Sequence, residues 1–359
     1  MGISAPVEVR GSRWGLLRTP ALFRPRGAGL GRYIGSRVAS AVVLLAIVTI
    51  LNFLLTHILP GDPVTALVGQ FPAPPAYVAL IRHDYGLDQP LLSQLWLYLG
   101  NLTHFNLGYS FGSQRPVLPL ILQHAGATLM LMLPALFVAS MAGVLLGGAA
   151  ARRVGSVYDH MLSAISVAGY SMPIIWLAQV LILVFSIRFA ILPAQGMFSV
   201  TGTEGGGLAS FTDYLQHLVL PGAALAFFNI AIVARVARSS MYEALHQDYT
   251  TLALAKGLHP TYVYWRHVMP NALIPIVTVI GYNLGSALTG AVLTETVFGW
   301  PGIGSLFVAS ITKRDYPVLE GIFLLTSFAV LAVNLLTDMT YALIDPRVAR
   351  SYGRRGRRT

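Results

Sequence analysis

The sequence predicts an all-α membrane protein, a polytopic bundle of six transmembrane helices. Three observations lead there. Only 11% of residues are charged and 55% are hydrophobic, against about 25% charged in ordinary soluble domains. The apolar stretches are continuous and of bilayer length, not the alternating pattern of a β-barrel. Basic residues gather at the ends of alternate runs, as they do where one face of a membrane is kept positive.

Residues 1–31 form a basic N-terminal extension of Arg, Gly and Pro. They lack the apolar core of a cleavable signal, and are expected to stay unstructured or rest on anionic lipid. The first helix is placed at 32–59, around an apolar run at 38–59. An outer helical segment, 60–124, opens with the turn-forming Leu59-Pro60-Gly61-Asp62-Pro63. Within it Leu91, Leu92, Leu95, Trp96 and Leu99 recur at helical spacing, which predicts a small helix on the outer interface.

The core, 125–345, carries five further runs at 125–151, 163–187, 218–234, 272–294 and 321–337. None holds an acidic or basic residue, and each is near the roughly 17–25 residues a crossing needs. Pro134 and Pro173 should kink their helices. The pairs Gly143/Gly147 and Gly281/Gly285 permit close helix contact, read as packing within the chain. The segment at 188–217 is glycine-rich. That from Glu295 to Pro317, with Phe298-Gly299-Trp300-Pro301-Gly302, is too apolar for a free loop and is expected to fold back on the bundle.

With the N-terminus inside, nineteen Arg and Lys fall on inner segments and five on outer ones. This bias places both termini, including the basic tail 346–359, in the cytoplasm. It also explains the net charge of +10 without nucleic acid as a partner; the partner the charges address is the lipid bilayer.

The inner segment at 238–270 is the most informative. Asp248 can cap a helix start and Gly257 can end it in a left-handed turn. Pro260 can then open a second helix at its first position. Ala253, Ala255 and Gly257 give the first helix a side of small residues that another protein can approach closely.

Several function classes are excluded or demoted. Neither lysine, Lys256 or Lys313, lies in a Gly-x-x-x-x-Gly-Lys-Ser/Thr loop, so the chain has no P-loop and carries no cofactor of its own. With no Cys there are no disulfides or thiolate metal sites. An ion-coupled carrier would place charges inside the spans. An intramembrane protease built on Ser171 would need a histidine within reach, but His57 and His217 lie at span edges. The nine histidines are scattered and show no metal-pair spacing.

In order along the chain stand Gly31-Arg32-Tyr33-Ile34, Leu59-Pro60-Gly61-Asp62-Pro63, Tyr85-Gly86-Leu87-Asp88-Gln89-Pro90, Leu107-Gly108-Tyr109-Ser110 and Leu192-Pro193-Ala194-Gln195-Gly196. Ala253-Leu254-Ala255-Lys256-Gly257-Leu258, Asn271-Ala272-Leu273-Ile274-Pro275, Glu295-Thr296-Val297-Phe298-Gly299-Trp300-Pro301-Gly302, Arg314-Asp315-Tyr316-Pro317 and Asp345-Pro346-Arg347 follow. By these motifs the chain resembles the inner-membrane permeases of dipeptide, oligopeptide and nickel ABC importers, of the "B" subunit type, from about Leu30 to Arg350. It departs at Thr251-Leu252-Ala253, where the family usually has Glu-Ala-Ala. His267 stands for an apolar residue and Asn106 for Asp.

The resemblance implies a type I importer permease, transporting peptides or, alternatively, nickel or other small solutes. It implies a second permease subunit, different rather than identical, ATPase subunits holding ATP and Mg, and an extracytoplasmic substrate-binding protein. Asp248, Tyr249, Ala253, Ala255, Lys256, Gly257 and Pro270 would then couple ATPase movement to the spans.

Overall fold

The computed structural model describes residues 27–58, 74–76, 79, 83, 88–199 and 207–344. The turn at 60–63, residues 85–87 of the Tyr85–Pro90 motif, the N-terminal extension up to residue 26 and the tail from 345 lie outside them. Apart from one isolated bridge, Tyr109 with Pro116, the regular structure among the described residues is helical.

Helix α1 (Gly27–Ile58) packs along the last helix, α11 (Tyr316–Ile344). Asn52 donates to the Glu320 carbonyl at 3.1 Å near one end, and Arg37 pairs with Asp338 at 3.2 Å towards the other. The short α2 (Leu91–Thr103) has no fully buried residue. It rests on α1 through Tyr98, whose ring stacks on Phe53 at 5.5 Å, as its amphipathic spacing predicts.

Helix α3 (Val117–Ala151) runs unbroken through Pro134. Its main partner is α6 (Leu208–Leu245), a helix of 38 residues. That is about 57 Å, well beyond the roughly 30 Å of hydrocarbon. The apolar run at 218–234 therefore marks only the central part of this helix, since Arg235, Arg238 and Glu243 end the run without ending the helical hydrogen bonding. Gly143 and Gly147 form the α3–α6 seam. A Cβ on Gly143 would lie 2.7 Å from Val233, and one on Gly147 would strike the Ala234 carbonyl. Gly281 likewise faces Thr337 of α11, so both glycine pairs serve contacts inside the chain.

The run at 163–187 was expected to be one kinked span. It is two helices, α4 (Val157–Ser171) and α5 (Ile174–Leu181, continuing as a π-helix over Ile182–Arg188), bent by 101°. Pro173 forces its predecessor Met172 out of helical geometry (ψ 127°), which turns a kink into a corner.

After α6 come α7 (Asp248–Ala255), α8 (Pro260–Val263), a π-helical turn (Tyr264–Val268) and α9 (Met269–Phe298), the last three being continuous. α9 is followed by α10 (Ile303–Lys313), bent back by 81° from its end; this is the expected folded-back element. Among the described residues, five helices are long and apolar enough to cross a bilayer alone, and two more candidates are the bent pairs.

Candidate coupling surface

One end of the bundle holds the 238–270 segment. α7 begins one residue earlier in capping terms than Asp248 suggests. Gln247 is its extended N-cap (φ −76°, ψ 150°), without a side-chain bond, and Asp248 is the first helical residue. There its carboxylate meets the positive end of the helix dipole.

The far end closes as the sequence predicts. Gly257 takes φ +77°. Its N–H donates to the Leu254 carbonyl at 2.9 Å, and Leu258 N–H to the Ala253 carbonyl at 3.3 Å. These are the two bonds of a Schellman turn. Pro260 then occupies the first turn of α8, capped by His259, whose Nδ1 accepts from Thr261 N–H at 3.3 Å. The cap by His259 was not foreseen.

The expected side of small residues is divided between two faces. Ala253, 7% exposed, is turned into the chain beside Thr250, which is fully buried. The Thr250 hydroxyl donates to the Ala244 carbonyl at 2.8 Å and ties α7 to the end of α6. Ala253 thus faces this chain rather than open space. The outward face carries Tyr249, Leu252, Leu254, Ala255 and Lys256, with Asp248, Gly257 and Leu258 at its two ends, all exposed. Leu252 is 57% exposed. Pro270, also exposed, lies in the first turn of α9, separate from this face in sequence.

Behind α7 the chain is tightly packed. Ala151, Ala237, Met241, Ala244, Tyr264, Val268, Ala272 and Ile276 form one buried cluster joining α3, α6 and the start of α9. The Arg152 guanidinium lies 3.5 Å from the centre of the Tyr264 ring, a cation–π contact. Arg238 of α6 forms a two-pronged ion pair with Asp159 of α4 (Nη2 to Oδ2, 2.7 Å), while Ser156 caps α4. Nothing in the sequence alone pairs Asp159 with Arg238, since they are 79 positions apart.

The opposite end gathers the other motifs. Glu295, fully buried, accepts from the Thr128 hydroxyl at 2.6 Å, Gly304 N–H at 2.6 Å and Ser305 N–H at 3.2 Å. The two backbone donors are orphans of the first turn of α10, so Glu295 acts as a cap supplied from another helix. Trp300, also fully buried, donates through Nε1 to the Ala127 carbonyl at 2.8 Å. Gly196 N–H reaches the Phe298 carbonyl at 2.8 Å, bringing the Leu192–Gly196 motif to this corner. Asp315 accepts from the Ser110 hydroxyl (2.5 Å), Phe111 N–H (3.0 Å) and Gly112 N–H (2.9 Å), which docks the Leu107–Ser110 motif beside α11. Among the described residues no three His, Asp or Glu assemble as a metal site.

Two family models match: the binding-protein-dependent transport system inner membrane component over residues 143–350, and its N-terminal counterpart over 30–132. The chain belongs to this family of transporter permeases. It is 40% identical to the Di/tripeptide transport system permease protein DppB of Pseudomonas aeruginosa, over 88% of this chain and 98% of that one. It is 41% identical to the Probable D,D-dipeptide transport system permease protein DdpB of Escherichia coli, over 87% of this chain and 96% of that one. Among solved structures, the inward-facing MetNI methionine ABC transporter superposes with a TM-score of 0.50 at 16% identity, covering 66% of this permease and 97% of that chain. That likeness concerns the fold alone, the type I importer permease architecture. The chain is accordingly a multi-pass inner-membrane permease subunit of an ABC importer.

Proposed function

We propose that this permease forms half of a pathway for dipeptides or short peptides, with a second, different permease as the other half. ATP and Mg are held by ATPase subunits that receive α7, and cargo arrives on an extracytoplasmic binding protein. The observation that carries the coupling role is the outward face of α7. Tyr249, Leu252 and Leu254 are exposed on a capped helix outside the membrane-length runs, and exposed apolar patches of this kind mark protein contacts. The di- and tripeptide names of the relatives support peptide cargo; the Thr251-Leu252 departure means that docking here relies on apolar contact rather than on the usual glutamate.

Reconstitution tests this reading. The purified chain is expected to hydrolyse no ATP, since it lacks a phosphate-binding loop. Vesicles holding both permeases and the ATPase subunits should take up labelled dipeptide only with binding protein and ATP. Hydrolysis by the isolated chain, or uptake indifferent to ATP, would contradict it.

Orientation has its own test. The excess of basic residues on one side supports cytoplasmic termini and a cytoplasmic α7, with α2 and the Glu295 corner outside. Reporter fusions after residues 100 and 255 are expected to lie on opposite sides, the latter inside. Both on one side would refute the arrangement.

A further inference from the structure

Among its described side chains, α9 is covered by the rest of the chain over most of its circumference. Apart from Pro270 in the first turn, the exposed side chains among those described on it are Asn271, Pro275, Thr278, Tyr282, Leu293 and Thr296. Their spacing is that of a single helix face. Past Ser36 and Ser40, which are also exposed, the exposed face of α1 is aliphatic, with Val42, Val43, Ile47, Leu51 and Leu55. An aliphatic face suits lipid, whereas polar groups at membrane depth are tolerated where they meet protein or water.

Tyr282 is the largest side chain on the α9 line and is 68% exposed. It lies at the middle of α9 (Met269–Phe298). The Thr278 and Thr296 hydroxyls are satisfied by their own helix, on the Ile274 carbonyl at 2.8 Å and the Val292 carbonyl at 2.7 Å. The Tyr282 hydroxyl has no partner among the described residues. The helix cannot simply roll to hide it: Gly281 is pressed against Thr337 of α11 too closely for any side chain, and Asn283 is buried.

We propose that Tyr282 stands in the water-filled pathway and contacts cargo at its midpoint, its ring facing apolar side chains and its hydroxyl bonding peptide carbonyl or carboxylate oxygens. This rests on the permease reading above, and places the second permease across the pathway from α9. α9 is also continuous with α8, next to the coupling helix, so the residue lies on the same rod that α7 would move.

The chain has no Cys, so Tyr282→Cys, Thr278→Cys and Ile47→Cys each give it a single thiol. The complete importer in membranes is treated with a charged, membrane-impermeant methanethiosulfonate, with and without ATP, and modification of this chain is followed by mass. The thiols of Tyr282→Cys and Thr278→Cys are expected to react at least about tenfold faster than that of Ile47→Cys, and dipeptide with binding protein should slow them. Equal rates in every nucleotide state would place the α9 line against lipid or a partner helix and overturn the proposal. Tyr282→Phe tests the hydroxyl: KM for dipeptide uptake should rise about fivefold, the worth of one neutral hydrogen bond. An unchanged KM removes the cargo contact. Dipeptide uptake by the unaltered importer is measured alongside; its absence would refute peptide cargo while the labelling still decides whether α9 faces water.

Discussion

Replacing Glu295 by alanine is expected to leave little assembled importer. The carboxyl lies in a fully buried site and answers three donors: the Thr128 hydroxyl and the Gly304 and Ser305 amides. Alanine strands them where water cannot replace the lost acceptor, at about 1–3 kcal/mol for each orphaned group. The surroundings cannot collapse to compensate. Gly304 already packs against the α9 backbone at Val292 without room for a Cβ, and Gly302 crowds the carboxyl itself. Glu295→Gln should be milder, because its amide oxygen can still accept from the α10 amides while its NH2 turns to the Thr128 hydroxyl. The measurement is the yield and melting temperature of the detergent-extracted complex. Wild-type yield and melting temperature for Glu295→Ala would show that this corner is held by packing alone.

The second large effect is expected at the other end, and on transport rather than stability. Leu252→Glu alters a side chain that faces outward and should leave the amount of complex unchanged. It should nevertheless lower ATP-driven uptake at least about tenfold, since a buried carboxylate at an apolar contact costs more than the roughly 1.4 kcal/mol that a factor of ten represents. Gly257→Val should impair both properties. A β-branched residue at φ +77° is strained by about 1–2 kcal/mol, which opens the two Schellman bonds that set the angle between α7 and α8. Ala253→Trp belongs to a different class because its side chain points inward next to Thr250; reduced assembly is expected there. Uptake per assembled complex separates the cases. Full uptake by Leu252→Glu would mean that α7 only joins α6 to α8.

The sequence made some of this legible for reasons that can be traced. α1, α3, α9 and α11 show as apolar runs because their centres carry no charge. The turn at Gly257 and the start at Pro260 follow from backbone preferences that need only local sequence. The direction of Ala253 was not legible: small size says that something is close, not whether it is the same chain. Nor was the corner at Pro173, where the same residue permits a kink or a break and tertiary contacts decide. The full roles of Glu295 and Asp315 were hidden because the Thr128 and Ser110 hydroxyls that donate to them lie 167 and 205 positions away. Both stood inside recognisable motifs, yet a motif marks a position without stating what it touches.

The α3–α6 seam bears on how the chain is built. Gly143 and Gly147 close against Val233 and Ala234, which are synthesised only after the intervening α4 and α5. At ~5–20 residues per second that delay is roughly 5–20 s. During it the grooved side of α3 lacks its mate, and another small-residue helix nearby can take the place. Correct assembly therefore requires a late-made helix to return to an early-made one. Fragments ending before residue 233 would expose that groove permanently to helices of other proteins.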